Sequence, residues 1–244
     1  MHLLAIATAL SLLGSLGGAL VASGFLLLGD TTRVRLVPWL ISYAVGTLVG
    51  VALLALVPEA LAELPSRPAM LTMTAGIVAF FLVEKAVLWH HCHDEGECKV
   101  HNTASSLVIV GDTLHSFVDG AVIGAAVLTS TALGVTTAIA IAAHEIPHKL
   151  GDIAILLRAG HSPGRAFMLN LLSGIGGVLG ALALIAAARA VPQGLPFVLA
   201  FAAGNFLYVA MADLIPDLHR GSAQSGGLRQ LLLIGAGLLT IAML

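Results

Sequence analysis

Two neighbouring stretches decide the fold of this chain: residues 104–129 read ASSLVIVGDTLHSFVDGAVIGAAVLT, and residues 133–157 read LGVTTAIAIAAHEIPHKLGDIAILL. Each stretch is long and apolar enough to cross a hydrocarbon core of about 30 Å as one α-helix. Each also contains ionisable side chains, which are costly inside a bilayer and therefore normally face a cavity or a partner. The two stretches predict membrane-spanning helices that carry a functional site.

The rest of the chain shares this apolar character. Of its 244 residues, 58% are hydrophobic and 10% are charged, against roughly 25% charged in an ordinary soluble domain. Its mean hydropathy is +1.01. We therefore predict an all-α, polytopic membrane protein that forms a single transmembrane domain over residues 1–244 in the lipid bilayer. About eight transmembrane helices are expected, near residues 3–28, 36–58, 69–89, 104–129, 133–157, 166–188, 195–212 and 228–244.

The charges predict the orientation of the chain. A formal net charge of −2 lacks the basic surplus of nucleic-acid-binding proteins, so no nucleic-acid partner is expected. Arg67 and Arg189 are the basic residues near the even-numbered loops, whereas eight lie near the odd-numbered ones: Arg33, Arg35, Lys85, Lys99, Arg158, Arg165, Arg220 and Arg229. The positive-inside rule then places both termini outside the cytoplasm. The short loops favour the inner membrane of a bacterium.

The ionisable residues of the two central helices have the spacing of metal ligands. Asp112, His115 and Asp119 lie on one face of the fourth helix. On the fifth helix the corresponding residues follow one another at helical spacing: His144, Glu145, His148 and Asp152. Imidazole and carboxylate are ligands of zinc, iron(II) and manganese, and the number of residues leaves a binuclear site open. The alternative is a set of structural ion pairs.

At these residues the chain resembles the ZIP (Zrt/Irt-like) metal-ion transporters, particularly their histidine-rich subfamily. His115–Gly120 (HSFVDG) is similar to the H-N-x-x-D-G motif of the family's fourth helix, and His144–Asp152 (HEIPHKLGD) is similar to the fifth-helix motif H-E-x-P-H-E-x-G-D. The segments 80–85 (FFLVEK) and 206–210 (FLYVA), with Asp213, extend the resemblance over nearly the whole chain.

The resemblance implies a transporter, not an enzyme, that delivers divalent metal to the cytoplasm. Zinc is the expected substrate, with iron(II) and manganese as alternatives, and no catalytic cofactor is implied. The implied transport ligands are His115, Asp119, His144, Glu145 and His148. Secondary or pathway positions are Asp112, Ser116, Asp152, Glu59 and Asp213. The sequence leaves a homodimer open.

Two positions depart from the family pattern. Ser116 stands where Asn is usual, and Lys149 stands where the second Glu of the fifth-helix motif is usual. Because Lys149 follows Glu145 by one turn, we hypothesise that its ammonium replaces the charge of a second metal and neutralises Glu145. Glu59 ends the second span, where the subfamily often has an Asp and two His. It is either an entrance ligand or an exposed carboxylate at a helix end.

A polar loop at residues 90–103 separates the third and fourth spans. Its imidazoles and thiols suit metal capture on the cytoplasmic side, and the alternative is a solvated connector. The candidate ligands are His90, His91, Cys92, His93, Cys98 and His101. The two cysteines share this loop, which excludes a disulfide framework.

The segment 144–148 also matches the H-E-x-x-H pattern of zinc metalloproteases, in which the Glu activates a zinc-bound water. An intramembrane metalloprotease is therefore the competing hypothesis. Pro147 weighs against it, because a proline would kink the helix between two ligands that a catalytic zinc needs to be held rigidly. His115 and Asp119 would also be redundant in a site with three protein ligands.

Overall fold

The computed structural model describes residues 2–24, 27, 30–89, 100–220 and 227–244. Within these ranges there is no strand. The α- and π-helical residues form eight continuous segments, and a 3-10 helix at Pro192–Gly194 directly precedes the seventh. Three of them contain a π-helical stretch: α1 (His2–Ser11, Leu12–Leu16, Gly17–Gly24), α2 (Asp30–Gly50, Val51–Leu56, Val57–Glu63) and α7 (Leu195–Tyr208, Val209–Leu214, Ile215–Arg220). The others are α3 (Ser66–Trp89), α4 (Val100–Thr129), α5 (Thr131–Arg158), α6 (Pro163–Ala190) and α8 (Gly227–Ala242).

The helical segments coincide with the apolar runs of the sequence, which confirms the all-α prediction. Among the described residues, five helices are long and apolar enough to span a membrane, and they belong to α1, α2, α3, α6 and α7. Helices α4 and α5 carry the buried ionisable residues, and α8 has 16 residues. The structure therefore supports a polytopic membrane protein. That all eight segments cross the bilayer remains a prediction.

Short turns join α5 to its two neighbours in the sequence, α4 and α6. Ser130 caps α5 by accepting a hydrogen bond from the Leu133 amide at 3.1 Å. Gly160, with a φ of +86°, ends α5, because a residue with a Cβ atom is strained in that conformation. Ser162 and Pro163 then begin α6. Helices α4, α5 and α6 thus lie antiparallel in sequence order. Helix α5 continues on both sides of Pro147 as one helix.

Glycines let α4 and α6 approach each other closely. A Cβ atom on Gly120 would meet the backbone of Gly177, and one on Gly180 would meet the carbonyl oxygen of Phe117. The hydrophobic effect does not drive helices together in lipid. Small residues instead let the two backbones approach closely, so that van der Waals contacts hold the helices together. The same device joins α2 to α8 at Gly46 and Gly237 and joins α3 to α7 at Gly76 and Gly204.

Helix α5 occupies the interior of the bundle. It contacts α1, α2, α4 and α6. Where α1 crosses it, Gly18 faces Glu145, and a Cβ atom on Gly18 would lie 2.9 Å from the Cβ of Glu145. The polar faces of α4 and α5 are thereby enclosed by neighbouring helices.

Candidate metal centre

Four side chains of α4 and α5 meet in the interior. Their ligand atoms lie within 4.8 Å of one another, and we call the group the first cluster: His115, Asp119, His144 and Glu145. The Nε2 atom of His144 lies 3.0 Å from an Asp119 oxygen and 3.3 Å from the Nε2 of His115. All four residues are buried. The i, i+4 spacing of His115 and Asp119 places them on one face of α4, the face that contacts α5.

The two carboxylates of the first cluster are unsatisfied. Among the described residues, neither oxygen of Asp119 and neither oxygen of Glu145 accepts a hydrogen bond. A buried carboxylate without hydrogen bonds is costly, so this set indicates a place for a cation in addition to the Lys149 ammonium, which lies 3.5 Å from Glu145. The Nδ1 atom of His144 lies 3.1 Å from the carbonyl oxygen of Ala140, to which it donates. In the neutral imidazole, Nε2 then presents its lone pair to the cluster.

Aromatic and small residues form the walls of the first cluster. The ring of Phe80 from α3 packs against His115, and the ring of Phe206 from α7 packs against His144, with centroids 6.0 Å apart in each case. Gly18 of α1 covers Glu145. Three different helices therefore shield the ligands from water and lipid, which strengthens their electrostatic attraction for a cation.

A second cluster lies beside the first and comprises Asp112, His148 and Asp152, again with ligand atoms within 4.8 Å. The Nδ1 atom of His148 lies 3.4 Å from Asp152 and 3.7 Å from Asp112. The sequence grouped His148 with His144, whereas the structure places it in the second cluster, with its ring stacked on His115 at 4.7 Å. The side chain of His148 is 33% exposed and that of His144 1%. The second cluster is therefore the more open of the two.

Lys149 lies fully buried next to both clusters. Its Nζ atom is 2.7 Å from each carboxylate oxygen of Asp112 and 3.5 Å from Glu145. The sequence suggested Glu145 as its principal partner, but the nearer carboxylate comes from α4. The spacing of residues along α5 predicts the pair Glu145–Lys149, which are one turn apart, but it cannot predict that Asp112 of α4 lies opposite Lys149. Nζ also lies 3.2 Å from Ser116, so the two positions that depart from the family pattern contact each other.

Helix α6 contributes two polar residues that the sequence reasoning missed. Ser173 donates a hydrogen bond to Asp112 and accepts one from Lys149 at 3.2 Å. Asn170 donates from its amide to the carbonyl oxygen of Lys149 at 3.0 Å. Both side chains are buried. The signal in the sequence is the presence of Asn and Ser, three residues apart, inside the otherwise apolar run 166–188.

The remaining predicted residues lie elsewhere. Glu59 lines a cavity of about 430 Å³ together with Glu63, Thr129 and Gln193, near the end of α4 that is farther from Asp112. The loop residues His90, His91, Cys92, His93 and Cys98 lie outside the described residues. So do the side chains of His101 and Asp213.

Sequence comparison decides the family of the chain. Residues 89–244 match the family described as ZIP Zinc transporter. The chain belongs to the ZIP family. This ZIP protein is 35% identical over 219 residues to zinc transporter ZIP13 of Pongo abelii, covering 84% of its own length and 65% of the relative. It is 30% identical to human ZIP13, in a match that covers 84% of this chain and 69% of the relative. It is 36% identical to human zinc transporter ZIP10, in a match that covers 56% of this chain and 18% of the relative. The chain thus spans about two thirds of ZIP13 and under a fifth of ZIP10.

These findings confirm the resemblance and do not support the metalloprotease. The H-E-x-x-H pattern requires both histidines to bind one ion. In this ZIP protein His144 belongs to the first cluster and His148 to the second. The relatives are zinc transporters, and the apolar helices agree with an integral membrane protein.

Proposed function

We propose that this ZIP protein transports divalent metal cations, chiefly zinc, into the cytoplasm through the first cluster. The observation that carries the proposal is the buried set of two imidazoles and two unsatisfied carboxylates between α4 and α5. Four nitrogen and oxygen ligands suit the tetrahedral coordination of zinc. Iron(II) and manganese accept the same ligand types and are secondary candidates.

The position of the second cluster supports a direction of release. Asp112 precedes His115 on α4, whereas His148 and Asp152 follow His144 on α5. Because α4 and α5 are antiparallel, both displacements run toward the end of the bundle that holds the turn between α5 and α6. The distribution of basic residues assigns this end to the cytoplasm. The greater exposure of His148 favours an exit on this side, with the His- and Cys-rich segment between α3 and α4 as the receiver of the ion; residues 100–103 of the predicted loop belong to α4.

The opposite end of the bundle offers an entrance. The cavity lined by Glu59 and Glu63 lies near the C-terminal end of α4, which the same rule assigns to the outside. Two carboxylates at a cavity attract a divalent cation before its water shell is removed. We assign Glu59 to this entrance.

The membrane that holds the protein is a separate part of the proposal. The short loops of the chain favour the inner membrane of a bacterium.

Zinc uptake by the purified protein tests the proposal. The protein is reconstituted in metal-free liposomes that contain a zinc-sensitive dye, and the parent is compared with Glu145→Gln and His148→Ala. We expect dye signal in the parent and a loss of about tenfold or more in Glu145→Gln, because a neutral amide cannot replace the charge of the carboxylate. His148→Ala should also slow uptake.

His2→Ala is the matched control, because His2 is an exposed imidazole at the start of α1, and its uptake should equal that of the parent. A folded parent that binds zinc and shows no uptake under an inward zinc gradient would contradict the proposed function.

A further inference from the structure

The Lys149 ammonium is surrounded by oxygen atoms like a bound cation. Five oxygens lie within 3.5 Å of Nζ: both of Asp112, the hydroxyls of Ser116 and Ser173, and one of Glu145. An ammonium has three N–H donors, so this shell offers more acceptors than hydrogen bonding needs. Lys149 is fully buried, and no other lysine or arginine lies in the core among the residues whose burial is described.

Lys149 also takes a ligand away from the second cluster. Both oxygens of Asp112 are hydrogen-bonded to Nζ, and Ser173 donates to one of them. His148 and Asp152 then remain as the uncommitted members of that cluster. Zinc sites in proteins use three or four protein ligands, so two are too few to hold an ion firmly.

The charges lead to the same conclusion. The two clusters together contain four carboxylates: Asp112, Asp119, Glu145 and Asp152. Lys149 and one divalent ion in the first cluster offset three of these negative charges. A second divalent ion would lie close to the ammonium in a water-poor interior, where repulsion between like charges is strong.

Helix α6 holds the ammonium in this position. Ser173 contacts both Nζ and Asp112, and Asn170 binds the backbone carbonyl of Lys149. We propose that Lys149 is a covalently attached cation that fills the second cluster, so that this ZIP protein binds one metal ion between α4 and α5 at a time. The inference rests on the proposed function for the first cluster as the transport site and adds its stoichiometry.

Zinc stoichiometry tests the inference. The protein in detergent is dialysed against zinc, and bound zinc is counted by mass spectrometry of the metal. The His/Cys loop is common to all variants, so differences from the parent are the readout. We expect His144→Ala to lose one equivalent and Asp152→Asn to lose none. Lys149→Glu should gain one equivalent, because it frees Asp112 and adds a fourth ligand.

Lys85→Glu is the matched control, because Lys85 is an exposed lysine of α3 and the substitution changes the net charge equally. It should bind as much zinc as the parent. In the double variant Lys149→Glu with Asp152→Asn, the extra equivalent should disappear.

Loss of one equivalent in Asp152→Asn, with Lys149 intact, would overturn the inference. So would a folded Lys149→Glu protein that gains no zinc. Because the first of these results needs no change at Lys149, it holds even when Lys149→Glu fails to fold. A parent that shows the expected stoichiometry but no uptake would overturn the proposed function alone.

Discussion

Ser173 shows how a single hydroxyl supports the buried charges of this ZIP protein. It donates to Asp112 from a third helix while Lys149 approaches the same carboxylate from α5. Asp112 is buried, so each hydrogen bond that it accepts offsets part of the cost of removing it from water. Truncation of Ser173 would leave the ion pair in place and remove one of its supports.

We predict that Ser173→Ala lowers the free energy of unfolding by about 1–3 kcal/mol, the cost of leaving a buried polar group with a missing partner. Thermal unfolding of the protein in detergent measures the change. Ser66→Ala is the control, because Ser66 is exposed at the start of α3, and it should stay within about 0.5 kcal/mol of the parent. Equal shifts in both variants would contradict the prediction.

At the residue scale, the sequence predicts which side chains share a helix face but not how they divide between sites. The spacing of Asp112, His115 and Asp119 places them on one face of α4. Their separation into two clusters depends on how α4 is offset along α5 and on the reach of Lys149 across the contact. Both are properties of tertiary packing. Asn170 and Ser173 of α6 were not predicted because neither residue type is a common metal ligand, and their contacts with Lys149 and Asp112 also depend on tertiary packing.

The crossing of α4 and α6 is an element-scale feature that depends on the absence of side chains. Gly120 lies next to Asp119, and its Cα faces the backbone of Gly177. Any added carbon would separate the two helices, and Ser173 on α6 would move away from Asp112. The close crossing thus couples helix packing to the geometry of the second cluster.

We predict that Gly120→Ala destabilises the protein by about 1–3 kcal/mol, the usual cost of overpacking a close contact, and slows zinc uptake. Gly111→Ala on the same helix is the matched control, because no atom lies within 4 Å of its added Cβ. The control should be neutral or stabilising by about 0.5–1 kcal/mol, since alanine favours helix more than glycine does. Thermal unfolding and liposome uptake, measured on both variants, decide the prediction. Equal stability of the two variants would refute it.

At the element scale, the apolar runs predict the helices well because lipid leaves few alternatives to a hydrogen-bonded helix. The helices extend beyond the apolar runs into polar flanking residues, as α2 does from Asp30 to Glu63. The π-helical stretches of α1, α2 and α7 could not be predicted. A wider turn changes the local hydrogen bonding and leaves the hydropathy of the segment unchanged.

At the scale of the whole molecule, the distribution of Arg and Lys predicts the topology, and a labelling experiment can test it. After replacement of Cys92 and Cys98 by serine, single cysteines are introduced as Gly164→Cys and Gln193→Cys. Both positions are exposed and lie at opposite ends of α6. We expect a membrane-impermeant maleimide added to intact cells to label Gln193→Cys and to leave Gly164→Cys unlabelled until the cells are lysed. The reverse pattern would invert the predicted orientation.

The pairing of α2 with α8 has a consequence for the biogenesis of the protein. Tyr43 and Thr240 share a hydrogen bond although they are 197 positions apart, and Gly46 and Gly237 form the crossing beside them. At 5–20 residues per second, synthesis of the intervening chain takes roughly 10–40 s. During that interval the glycine face of α2 is in the membrane without its partner, and the contact between the two helices forms only after α8 has left the ribosome.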